Sequence, residues 1–235
     1  MAKTPLGKLE PAAIGMLELP RLAPQILAGF RELGDLTGTT SDALDECNIA
    51  GAVPASVLKP TTPRARIVGQ ALTVLNRLVS ERRKLSGLAD IEAHHLAEAG
   101  DVLVVQGAPN VSSIGGVSAT IGKRQGEAGA IVDGAVRDID HSRAIGYPIW
   151  SASVSPITGK WRIETMAVNA PVAIAGIEVR PGDLVVADEC GVCFVPYARA
   201  AEVLAIAQRL AAAEARRLQQ LEAGIPLADY LKLPR

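Results

Sequence analysis

The sequence predicts a mixed α/β fold with helical ends. Three observations carry this reading. Helix-like and strand-like segments alternate through the middle of the chain, short strands with turn signals crowd its second half, and amphipathic stretches lie at both ends. The 235 residues contain no repeat, low-complexity tract or flexible linker, so one domain over 1–235 is expected. A compact chain of that size buries roughly 70–75% of its unfolded surface and needs no staples.

Residues 1–38 read as an amphipathic, helical extension after "KLEP", punctuated by Pro11, Pro20 and Pro24. In "TGTTSDALDECNIAG", Thr39 stands three positions before Asp42, resembling a capping box that opens a short helix. "ARIVGQALTVL" is a strand of small and β-branched residues. "SGLADIEAHHLAEAG" predicts a helix ending at Gly100, and "DVLVVQG" a buried strand. "GGVSATIGKRQGEAG" predicts a helix opened by glycine, and "AIVDGAV" a second buried strand. Short strands follow in "IWSASVSP", "APVAIAGIEV" and "PGDLVVADECGVCFVP". Residues 197–224 predict a long helix ending at Gly224, within a C-terminal helix-and-tail segment over 197–235.

Composition narrows the function. Hydrophobic residues make up 49% of the chain but aromatics only 3%, so Ala, Val, Ile and Leu must build the core. The net charge of −1 and the lack of a basic stripe argue against nucleic-acid binding. The start, "MAKTPLGKLEP", has no apolar run of the signal-peptide kind, and no apolar stretch reaches 18 residues. A soluble, cytoplasmic protein without a membrane partner is expected. Cys47, Cys190 and Cys193 form no disulfide framework, and "CGVC" lies in a strand-like run with no second ligand pair. It reads as two small apolar residues rather than a redox or zinc motif.

Three places could carry chemistry. Gly115 and Gly116 open a helix whose first amides and positive dipole end suit a carboxylate or phosphate. The alternative is a tight strand-to-helix turn. Arg137 and Asp138 fall at a strand's carboxyl end, where consecutive side chains can reach one crevice. The competing reading makes Asp138 a helix cap and Arg137 a surface ion-pair partner. Glu214 falls on the apolar stripe of Val203, Ala207, Leu210, Leu218 and Leu221, where a buried carboxylate needs a partner or a metal. Otherwise that face turns outward and the side chain reaches water. His94, His95 and His141 lack metal-ligand spacing and read as ordinary polar residues. Lys160 and Arg162 read as structural or intersubunit ion-pair partners. No Ser-His-Asp arrangement, nucleophile elbow or dinucleotide fingerprint is present.

Six segments in order carry a resemblance: "TTSDALDECN", "ARIVGQALTV", "AGDVLVVQG", "GAIVDGAVRDID", "VSPITGKWRIETMAVNAPV" and "VRPGDLVVADECGVCFVP". With them the chain resembles the RraA-like family, over most of its length. That family includes class II pyruvate aldolases acting on 4-hydroxy-4-methyl-2-oxoglutarate and 4-carboxy-4-hydroxy-2-oxoadipate, and regulators of ribonuclease E activity. The resemblance implies a mixed β/β/α layered fold of the swivelling phosphohistidine-like kind, assembled as a homotrimer or a dimer of trimers.

It also implies a metal-dependent carbon–carbon lyase. Such an enzyme cleaves a 4-hydroxy-2-oxo acid or decarboxylates oxaloacetate through a pyruvate enolate. Arg137 would bind the pyruvyl moiety and stabilise the enolate. Asp138 would hold Mg²⁺ or Mn²⁺ largely through its water shell. The glycine turn, Gly115 and Gly116 with the amides of Val117 and Ser118, would seat the substrate carboxylate. Glu214, from the neighbouring subunit, would complete the metal surroundings. One position departs from the pattern: the aldolases carry an acidic residue twenty-one positions before the arginine, and here that position is Gly116. The departure leaves two rivals, a non-catalytic regulator and a same-fold enzyme of different chemistry.

Overall fold

The computed structural model describes residues 3–82 and 87–231. Ser86, where one helix was expected to begin, and the outermost ends of the 1–38 and 197–235 segments lie outside them. In chain order the elements begin with α1 (Pro24–Glu32), α2 (Leu36–Glu46), β1 (Ala52–Pro54), β2 (Lys59–Pro60) and β3 (Ile67–Leu78). Next come α3 (Asp90–Leu96), β4 (Val102–Gln106), β5 (Ser112–Ile114), α4 (Gly116–Gln125), β6 (Gly129–Val136) and α5 (Ile139–Ala144). The second half holds β7 (Ile149–Val154), β8 (Ile163–Val168), the hairpin β9 (Val172–Ile174) and β10 (Ile177–Val179), then β11 (Leu184–Ala187) and β12 (Gly191–Val195). The chain closes with α6 (Ala200–Glu222) and α7 (Leu227–Tyr230).

β3, β4, β6 and β7 form a parallel centre, with β8 antiparallel on β3 and β2 antiparallel on β7. The twelve-residue β3 serves three partners. Its first residues pair antiparallel with β11, and those from Ala71 onward pair parallel with β4. The switch forces a close approach: a Cβ at Gly69 would lie 2.1 Å from the carbonyl oxygen of Gly100.

Side-chain alternation builds the layers. Leu72, Val74, Leu103, Val105, Ala130 and Val132 face α3 and α4, packing with Ala93, Leu96 and Ala119. The intervening Ala71, Val102, Val104 and Ile131 face a second β layer that includes Val185, Val192, Phe194 and the β9–β10 hairpin. Helices α1, α2 and α6 cover the outer side of that layer through Leu184, Val186, Cys193 and Val195. This is the β/β/α arrangement expected, with helical ends. No helix among the described residues is long and apolar enough to cross a membrane.

Local expectations needed correction in four places. Among the described residues, the 1–38 extension is helical in a short turn at Pro11–Ala13, in α1 and where α2 begins at Leu36, and its prolines interrupt the backbone ladder elsewhere. Much of the rest runs extended, and Gly15 donates to the carbonyl of Val168 across 2.9 Å. The second helix starts earlier than Thr39: Asp35 is its cap, accepting from the amide of Gly38, and Thr39 and Thr40 lie inside it. The helix expected to run to Gly100 stops at Leu96. In α6 the buried stripe ends early: Val203 and Ala207 are fully covered, whereas Leu218 is 53% exposed and Glu214 faces outward.

The two cysteines of "CGVC" differ in setting: Cys190 is exposed, whereas Cys193 is buried in β12, where burial pushes its thiol up to about 12.

Candidate functional site at the carboxyl ends of β5 and β6

β5 and β6 run parallel, and the chain leaves both at the same end of the sheet. Such ends open the crevice in which α/β sheets hold ligands. After β5, Gly115 caps α4. After β6 come Arg137 and Asp138, whose amide and side chain tie the two connections together. The Arg137 amide donates to the Ile114 carbonyl across 3.0 Å. The Gly116 amide donates to Asp138 Oδ2 across 2.8 Å.

Asp138 adopts the left-handed conformation, with φ of 54°. Its side chain makes no capping bond to α5, although it occupies the cap position. The bend instead turns the carboxylate back onto the first amide of α4. A left-handed non-glycine residue costs roughly 1–2 kcal/mol, though Asp tolerates the conformation better than most. Arg137 Nε stands 3.7 Å from Asp138 Oδ2, and both side chains are more than 40% exposed. That pair is too loose and too wet to account for the two residues as a structural bridge.

Gly115, Gly116, Val117, Ser118, Arg137 and Asp138 line one cleft of about 320 Å³. Six candidates from the sequence are thereby brought together; Glu214 is not among them. With the Gly116 amide taken by Asp138, the amides of Val117 and Ser118 make no backbone bond among the described residues. Two amides with no backbone partner at a helix start, beside a guanidinium, make an arrangement that would suit an anion. Lys160, read from the sequence as a structural or intersubunit ion-pair partner, lines the same cleft. Arg162 does hold structure, donating to the Thr158 carbonyl across 3.0 Å.

The largest miss is His94. It is fully buried, not an ordinary polar side chain. Its Nδ1 lies 2.7 Å from Glu127 Oε1 and its Nε2 2.8 Å from Ser118 Oγ. Tyr147 donates to the other Glu127 oxygen across 2.5 Å. Asp90, on the cleft wall, stands 3.9 Å from His94 Nε2. A Ser-His-Glu arrangement therefore exists, although linear spacing shows none. Burial pulls the His94 pKa down, but the hydrogen bond and charge of Glu127, helped by Asp90, outweigh it and leave the pKa raised. The available signals were Glu127 beside the apolar run "AGAIV" and a histidine doublet in the helix-like "ADIEAHHLAEAG". His95 and His141 stay ordinary: His95 meets the Thr4 carbonyl, and the exposed His141 meets Thr120 Oγ1.

Residues 37–194 match the RraA-like family, described as Aldolase/RraA. The chain belongs to the RraA-like family. A Halalkalibacterium halodurans protein named provisionally as a 4-hydroxy-4-methyl-2-oxoglutarate aldolase is 32% identical over 74% of this chain and 78% of its own. The 4-hydroxy-4-methyl-2-oxoglutarate aldolase of Thermus thermophilus is 31% identical over 67% of this chain and 92% of its own. Among solved structures, a Pseudomonas syringae protein superposes with a TM-score of 0.80 at 29% identity, over 92% of this chain and 97% of that one. Streptomyces coelicolor RraAS2, described as an unusual member of the RNase ES inhibitor RraA family, superposes with 0.72 at 26% identity, over 89% and 100%.

Class II aldolases of this family generally depend on a divalent metal, and one residue of the cleft would suit such an ion. Asp138 presents a half-exposed carboxylate whose Oδ1 makes no bond among the described residues. Mg²⁺ keeps several waters and is commonly held by one or two carboxylates, so a single anchor at this point suits it. Among the described residues no group of three or more His, Cys, Asp or Glu side chains could form a full cage.

Proposed function

We propose that this RraA-like protein is a carbon–carbon lyase that releases pyruvate from a 4-hydroxy-2-oxo acid, or from oxaloacetate, through an enolate. The observation that carries the reading is a single cleft lined by Arg137, Asp138 and the two free amides that open α4. The substrate's carboxylate rests on the amides of Val117 and Ser118. Arg137 then faces the neighbouring keto oxygen, which gains negative charge as the carbon–carbon bond breaks. A fixed guanidinium stabilises that charge more than the ground state, as catalysis requires. Lys160 adds a second cation to the cleft and suits a substrate with a distal carboxylate. Asp138 would anchor Mg²⁺ or Mn²⁺ through its water shell. Bound there, the cation supplies Lewis-acid polarisation of the keto oxygen.

The test is a panel of 4-hydroxy-2-oxo acids and oxaloacetate, assayed for pyruvate with Mg²⁺, with EDTA, and after Mg²⁺ is restored. Pyruvate release that EDTA abolishes and Mg²⁺ rescues is expected. Activity surviving chelation removes the metal from the proposal, and silence on every substrate favours a non-catalytic regulator.

Glu214 enters the same reading through a neighbouring copy. The second half of α6 runs past the core with Glu214 and Leu218 exposed, free to meet another copy. A homotrimer, or a dimer of trimers, would lay this half-helix against the next subunit's cleft. Mixing Asp138→Ala with Glu214→Ala chains, after subunit exchange, is expected to restore activity that neither has alone. Mixed oligomers without rescue would leave Glu214 an ordinary surface carboxylate.

A further inference from the structure

The lyase reading leaves one chemical need unmet. Retro-aldol cleavage must remove the proton of the 4-hydroxyl, and Gly116 stands where the aldolases have an acid. The buried chain behind the cleft answers that need. We propose that Ser118, His94 and Glu127 form a proton relay opening on the cleft, with Ser118 exchanging the proton with substrate and His94 and Glu127 positioning it.

The inference rests on the lyase reading for its substrate and on geometry for the relay. Three elements converge: His94 comes from α3, Ser118 from the first turn of α4, and Glu127 from the connection between α4 and β6. Ser118 lines the cleft together with Arg137 and Asp138, whereas His94 and Glu127 are screened from solvent behind it. A buried carboxylate and imidazole are costly unless each polar atom is matched, and these are matched end to end. Glu127 accepts from Tyr147 and from His94 Nδ1, which leaves Nε2 to accept the Ser118 hydroxyl.

The chain can hold its proton in two ways. With imidazole neutral, Ser118 O–H points inward to Nε2 and its oxygen offers lone pairs to the cleft. With imidazolium, Nε2–H points outward to Ser118 Oγ, and the hydroxyl hydrogen turns to the cleft. In the forward step the substrate 4-hydroxyl gives its proton to Ser118 Oγ while Ser118 passes its own to His94 Nε2. The alkoxide collapses to a carbonyl, the C3–C4 bond breaks, and its electron pair forms the pyruvate enolate. Imidazolium then returns the proton through Ser118 to C3, giving pyruvate and the carbonyl product. Atoms and charge balance with no further reactant. The negative charge of Glu127, together with Asp90 nearby, stabilises the transient imidazolium.

Decarboxylation of oxaloacetate has no hydroxyl proton to remove, and this difference is the test. Ser118→Ala deletes one hydroxyl from the cleft wall. It should lower aldol cleavage by about 10²-fold or more through kcat, while oxaloacetate decarboxylation changes by less than about 5-fold. His94→Gln, with folding checked by circular dichroism, should reproduce that split. Equal loss in both reactions, or no loss in either, overturns the relay. Gly116→Asp gives an independent check, since its backbone is helical and a Cβ there meets the exposed His141 ring at 3.2 Å and Asp138 Oδ2 at 3.5 Å, leaving room for a side chain. In the wild-type background it should raise aldol cleavage by less than about 3-fold. A gain of about 10²-fold would mean the base was missing and would overturn the proposal.

A second readout needs no turnover. The ring signals of the three histidines can be separated by NMR, and His94 should titrate above an ordinary histidine. Glu127→Gln should lower that titration, and Ser118→Ala should perturb the Nε2 signal. If wild type releases pyruvate from no substrate, the lyase reading fails, and the titration alone then decides the relay. Dependence on both Glu127 and Ser118 supports it; independence from either overturns it.

Discussion

Arg137→Ala should lower kcat/KM for pyruvate release by about 10²–10³-fold, the usual cost of removing one preorganised donor from a developing oxyanion. Most of the loss should fall on kcat, since the charge that Arg137 meets appears fully only as the bond breaks. Stability should barely change. The guanidinium is 41% exposed and its ion pair with Asp138 is long, so the pair is worth under about 1 kcal/mol. Arg137→Lys should recover only part of the rate, because an ammonium keeps the charge but lacks the planar fork. Steady-state kinetics beside urea melts would separate the two effects. An Arg137→Ala enzyme with near-normal kcat/KM would return the residue to the surface, as a poor ion pair and nothing more.

The other large effect is on folding. Trp150 of β7 is fully buried between the two β layers, among Val104, Ile131, Val185 and Phe194, and donates through Nε1 to the Asp188 carbonyl across 2.7 Å. Trp150→Ala should cost about 3–5 kcal/mol, by lost apolar burial and the cavity left behind. A domain has only about 5–15 kcal/mol to lose, so the variant should sit near the edge of folding. Trp150→Phe should cost less, because the ring still fills much of the space and only the indole N–H is lost. Denaturant midpoints at constant m would measure both. A loss under about 1 kcal/mol for the alanine variant would mean that the β layers are not held together at this point.

The pattern of strands was legible because a strand's requirements are local. Short, nearly continuous runs of Val, Ile, Ala and Leu mark β3, β4 and β6 as strands buried on both faces, whichever partners they find. The glycine opening of α4 and the Arg137–Asp138 step were legible for the same reason, as each lies within a few residues of the backbone feature that defines it. Helix limits were less so. The helix expected from Thr39 begins at Leu36, because the capping choice between Asp35 and Thr39 depends on which side chain reaches an open amide. Glu214 shows the limit of periodicity: its stripe is regular along α6, but the body that would bury it ends after Ala207 and the half-buried Leu210.

By itself, then, the sequence determined the fold class and the order of its main elements, and it marked the anion-binding half of the proposed site through short local features, the glycine opening of α4 and the Arg137–Asp138 step. Tertiary structure alone decided the proton-carrying half. His94 is 33 residues from Glu127 and 24 from Ser118, and no local pattern links them. Packing α3 against α4 removes the three side chains from water, and in that setting each polar atom must find another. Burial turned a histidine with no ligand spacing into the centre of a hydrogen-bonded chain.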